Sequence, residues 1–84
     1  MRRRKEPRLI AAFPTTADAM AVERSCAAQG LPGRLIPLPP SISAGCGLCW
    51  CTAREQRETL SALLEELDIP GVLHECEIWV LGTE

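Results

Sequence analysis

The chain has 84 residues, enough for one small domain with a modest core. A hydrophobic content of 46% excludes an intrinsically disordered chain, and no run approaches the roughly 20 apolar residues of a membrane-spanning helix. The net charge of −2 conceals an asymmetry, because Arg2, Arg3, Arg4, Lys5 and Arg8 are five of the nine basic residues.

Beyond residue 8 the chain carries four basic and ten acidic residues, a net of −6. Residues 1–7 therefore read as a flexible basic tail and residues 8–84 as a single domain. Leu9 to Phe13 is too short for a signal-peptide core of about 7–15 apolar residues, so a cytoplasmic location is expected. Aromatics are limited to Phe13, Trp50 and Trp79. That argues against modules that stack bases on aromatic rings, and no nucleic acid is expected.

Arg8 to Phe13 is short, apolar and bounded by Pro14, the pattern of a strand. Thr15 or Thr16 then caps a helix running to about Gln29, with Asp18 in its first turn. Ala17, Met20, Ala21 and Ala28 are expected near one face of it. Gly30 stops the helix and Pro32 follows. Gly33 to Leu38 is a second strand, ended by Pro37, Pro39 and Pro40.

The loop from Pro39 to Gly47 holds Ile42-Ser-Ala-Gly-Cys46-Gly47. Leu48 to Cys51 is a third strand. Thr52-Ala-Arg-Glu55 has the spacing of a capping box. Leu60, Leu63, Leu64 and Leu67 then recur at helical period, the strongest periodicity in the chain. Asp68-Ile-Pro-Gly71 breaks that helix. Val72 to Leu81 is the last strand, with Cys76, Ile78 and Val80 on one face and Glu75, Glu77, Trp79 and Leu81 on the other.

The order strand-helix-strand-strand-helix-strand predicts an α+β, ferredoxin-like βαββαβ fold, a four-stranded antiparallel sheet with two helices on one face. Right-handed crossovers make strands one and two parallel, with strand three between them. The loop between strands two and three then meets the start of helix one. Cys46 is expected near Thr15 and Thr16, where free N–H groups and the helix dipole favour an anion such as a thiolate. His74, at the start of the fourth strand, comes to the same edge.

Cys46 is the leading candidate nucleophile, with Gly45 and Gly47 allowing close approach of a partner. Five cysteines without a secretory signal point to thiol chemistry more than to a disulfide scaffold. Cys46 and Cys49 form C-x-x-C, but a strand carries the two sulfurs apart. Cys49 and Cys51 share a strand face and are expected to fill space beneath the helices. Cys46, Cys49, Cys51, Cys76 and His74 are enough in number for a metal, yet their spacing matches no zinc motif, so no metal and no cofactor are expected. Cys26 reads as packing within helix one. Trp50 and Trp79 are expected on the sheet face left open by the helices, a surface suited to a homodimer.

Several of these segments resemble a known family. They are Phe13-Pro-Thr-Thr16, Ala19, Glu23, Gly30-Leu-Pro32, Arg34-Leu-Ile-Pro37 with Pro39, and Ile42-Ser-Ala-Gly-Cys-Gly47. Together they are similar to the small bacterial domains called putative Se/S carrier protein-like, over roughly residues 8–80. The Ile-Pro-x-Pro followed by Ile-Ser-x-x-Cys-Gly is the most specific part. The resemblance implies that Cys46 is the carrier site. The chain departs from the pattern at Pro40, where a basic residue is usual, and at Cys49 and Cys51.

The expected function is a sulfur or selenium carrier holding a persulfide, or its selenium equivalent, on Cys46. Its partners would be a cysteine desulfurase or another donor, and an acceptor protein. A carrier fits better than a free-standing enzyme. Two alternatives stay open: a dithiol redox or metal-binding module using Cys46, Cys49 and Cys51, and a non-catalytic interaction subunit.

Overall fold

The computed structural model describes residues 2–40, 42, 45 and 47–82; of Arg2, Arg3 and residues 80–82 it describes the backbone. The elements are β1 (Arg2–Ala12), α1 (Thr16–Gln29), β2 (Arg34–Pro37), β3 (Leu48–Thr52), α2 (Arg57–Leu67) and β4 (Val72–Gly82). A single 3-10 turn, Arg54–Gln56, precedes α2. The four strands form one sheet in the order β2-β3-β1-β4, and every adjacent pair is antiparallel. This is the α+β arrangement of the ferredoxin-like class, with β3 between β1 and β2.

β1 is central, and Leu9 to Phe13 are all buried. That continuous apolar run is buried on both faces of the sheet. On one face Leu9, Ala11, Phe13 and Trp50 pack with Ala19, Val22 and Cys26 of α1 and with Leu60, Leu63 and Leu64 of α2. On the other, Ile10, Cys49 and Cys51 are covered by Ile36, Leu38 and Ile42 and flanked by Cys76 and Ile78. Both helices therefore lie on one face, and the β2–β3 loop shields the other.

β1 begins six residues before the apolar pattern marks it. Arg2–Pro7 pair with Glu77–Gly82, whereas β3 pairs β1 only over Leu9–Ala12. The first six residues of β1 thus form a two-stranded ribbon with β4. Within it Glu6 pairs with Arg4 at 2.6 Å and with Arg8 at 2.7 Å. These guanidinium groups, Arg8 first, hold the Glu6 carboxyl below the usual range. The Lys5 ammonium lies 5.3 Å from the centroid of the Trp79 ring. A strand of 11 residues at about 3.3 Å each accounts for most of the 39 Å long axis.

Three local expectations change. In α1 the buried residues are Ala19, Val22 and Cys26, not Ala17, Met20, Ala21 and Ala28; Met20 is 48% exposed. Small apolar residues lie all around this helix, so its pattern does not single out a face. The Thr52–Glu55 capping box does not form. Thr52 ends β3 instead, and its hydroxyl donates to the Pro32 carbonyl at 2.8 Å. Trp50 faces the helices, not the open side, at 4% exposure. Its indole lies so close to Gly33 that a Cβ there would come within 2.6 Å of it.

Candidate functional site

The N-terminus of α1 follows a short turn out of β1. The Thr15 side chain accepts the Asp18 N–H at 3.2 Å, and Gly30, in the left-handed region at φ 69°, closes the other end. Thr15 is therefore the cap, and Thr16 is the first helical residue. Both are exposed. The free N–H groups of this first turn make its surroundings favourable to negative charge.

The β2–β3 loop returns to this point. The Leu38 N–H donates to the Gly47 carbonyl at 2.9 Å, and the Ile42 N–H to the Pro39 carbonyl at 3.0 Å. Gly47 takes φ 75°, a conformation that favours glycine. Gly45 lies so close to the Pro14 carbonyl that a Cβ there would collide with it. Gly45 of the loop thus meets the β1–α1 junction at Pro14, one residue before the Thr15 cap. Cys46 lies outside the described residues, as do Ser41, Ser43 and Ala44.

Gly45 also lines an open groove of ≈ 590 Å³ at this edge, with Phe13, Pro14, Pro70, Gly71 and His74. His74 is half-buried and stands opposite Ile10 in the β1–β4 register. Gly45 and His74 thus line the same groove, while Cys46, the residue His74 was expected to reach, lies outside the described residues. Sequence patterns did not mark Phe13, Pro14 and Gly71 as part of such a groove. Gly71 carries a signal only as a helix breaker, yet a Cβ there would lie 3.0 Å from Leu64 and 3.3 Å from the Phe13 ring.

The other thiols lie elsewhere. Cys49 and Cys51 are buried at 0% and 7% exposure, but on the face away from the helices, not beneath them. The alternation of β3 sends Trp50 to the helices, so its two neighbours must point the other way. Burial pushes the Cys51 thiol up and nearby Cys76 adds to this, while Arg8 and Arg34 oppose it. Burial likewise raises Cys26 and Cys76. Such thiols resist ionisation and are poor nucleophiles. Among the described residues no three His, Cys, Asp or Glu side chains converge as a metal site. No helix among them is long and apolar enough to cross a membrane.

Residues 8–72 match the family model described as putative Se/S carrier protein-like. No curated protein and no solved structure matches the chain.

Proposed function

The chain belongs to the putative Se/S carrier protein-like family, and from that premise we propose that Cys46 carries sulfur or selenium to an acceptor. The carrier form is a Cys46 persulfide or its selenium equivalent. The observation that supports this reading is the seating of Gly45 against Pro14, directly before the capped N-terminus of α1. A persulfide anion in that setting gains from the helix N-terminus and from the backbone N–H groups of Gly45 and Gly47. Thr15 supports the site by capping α1, and Thr16 begins its first turn.

In the loading step the Cys46 sulfur attacks the terminal sulfur of a donor persulfide. The donor S–S bond breaks, a new S–S bond forms on Cys46, and the donor leaves as its thiol. One sulfur atom moves, the Cys46 sulfur rises to the persulfide level and the donor cysteine falls to the thiol level. No external oxidant is required. A cysteine desulfurase is the donor of choice, and an acceptor protein's thiolate or an activated substrate takes the sulfur onward. The cycle belongs to a reducing compartment such as the cytoplasm, where thiols persist.

The test is intact-protein mass spectrometry after incubation with a cysteine desulfurase and cysteine, on the wild type and Cys46→Ser. A gain of one sulfur atom, labile to reductant and lost in Cys46→Ser, is the expected result. Equal sulfur gain in the variant, or none in either protein, would overturn the assignment.

A further inference from the structure

The ribbon of β1 and β4 leaves one edge open. Among the described residues no strand pairs residues 2–7 on the side away from β4, because β3 meets β1 only over residues 9–12. In the sheet order β2-β3-β1-β4 that edge faces the side on which β2 lies. An open groove of ≈ 660 Å³ lies between the ribbon and β2. Lys5, Glu77, Ile78 and Trp79 line it from the ribbon, and Arg34, Ile36 and Leu38 from β2 and the segment that follows.

The groove combines apolar walls with two cations. Ile36, Leu38 and Ile78 are half-buried, and Trp79 is 54% exposed. Lys5 and Arg34 are both exposed. Among the described residues neither is ion-paired with a carboxylate, whereas Arg4 and Arg8 pair with Glu6 and Arg57 pairs with Glu75. The Lys5 ammonium stands 5.3 Å from the centroid of the Trp79 ring, a contact that orders it before any partner arrives.

We propose that this groove docks an acidic, extended segment of a partner protein, which adds as a strand beside residues 2–7. The open edge supplies the backbone groups that a strand needs. Lys5 and Arg34 supply the complementary charge, and residues 2–7 together carry four basic residues and one acidic. Apolar residues alternating with the acids would fill the space between Ile36, Leu38 and Ile78. Charge separates this occupant from two others. A second copy pairing through the same edge would bring two net-positive segments together. A nucleic acid gains from the cations but not from the apolar walls, and the net of −6 beyond residue 8 repels a long polyanion. The ribbon wall lies outside residues 8–72, the segment that matches the family, and the proposal does not depend on the chemistry of Cys46.

Fluorescence anisotropy of a fluorescein-labelled short peptide, alternating Glu with Val, measures docking to the full chain. The same peptide with Lys in place of Glu is the control. The acidic peptide should bind and the lysine peptide should not, and Lys5→Glu and Arg34→Glu should each weaken binding by about tenfold. In the wild-type chain the bound peptide should slow amide exchange at residues 3–5, a readout that needs no variant. No binding at about 1 mM acidic peptide, equal binding of the two peptides, or unchanged affinity in both variants would overturn the proposal. Unchanged exchange at residues 3–5 in the bound state would remove the added strand and the proposal with it. Displacement of the peptide by a single-stranded oligonucleotide at equal concentration would assign the surface to nucleic acid instead. A dimer in sedimentation that excludes the peptide would assign it to a second copy.

Discussion

Gly45 and Gly47 flank the same cysteine for different physical reasons. Gly47 has open space where a Cβ would go but a φ of 75°. Gly45 has no such positive φ, and its constraint is the Pro14 carbonyl pressed against it. Ala at position 47 should therefore cost about 1 kcal/mol through backbone strain alone. Ala at position 45 must push the loop away from the β1–α1 junction. We predict that Gly45→Ala slows desulfurase-dependent loading of Cys46 more than Gly47→Ala does, although both retain the fold. Loading rates measured beside urea unfolding curves check this, and the reverse order would show that the Pro14 contact does not seat the loop. Residue patterns marked both glycines, but not the difference between them, because a contact between residues 14 and 45 leaves no local trace.

At the scale of elements, β1 and β4 differ along their length. Leu9–Ala12 are held between β3 and β4, while Arg2–Pro7 pair with β4 alone. A two-stranded ribbon is marginal by itself, whatever the ion pairs around Glu6 add. Amide hydrogen exchange should accordingly be faster for residues 3–6 and 78–81 than for Leu9–Ala12, by about 100-fold or more if the ribbon opens apart from the core. Uniform protection along β1 would mean that ribbon and core open together. The β1 half of the ribbon was not legible as a strand, because Arg2–Pro7 lack the apolar alternation that marks half-buried strands, whereas the β4 half carries it. α2 was legible for the opposite reason: leucines at period 3.6 leave one face to bury. Its start was read too early, because Thr52 bonds to Pro32, twenty residues away, instead of capping the helix.

For the whole molecule, one sheet separates two apolar clusters of unequal size. The larger lies under the helices, and the smaller holds Cys49 and Cys51 beneath the β2–β3 loop. Burial raises Cys26, Cys51 and Cys76 above the ordinary thiol value of 9.0. The folded state then holds protons that the unfolded chain releases as pH passes about 9. Their contribution to stability is fully present below that value and is lost as pH rises through the folded-state values. Urea midpoints should thus fall between pH 8 and pH 10, and less steeply in Cys51→Ala. An identical slope in that variant would show that Cys51 does not share in the linkage.

The order of elements, the helix stops at Gly30 and Asp68, and the Cys-Gly loop were determined by the sequence itself. Periodicity, capping and turn chemistry act over a few residues and can be read there. Which face of α1 is buried, which way Trp50 and its cysteine neighbours point, and how Gly45 meets Pro14 were decided by tertiary structure alone. Each depends on contacts between segments far apart in the chain, and local patterns carry no record of which distant surface will be there to meet them.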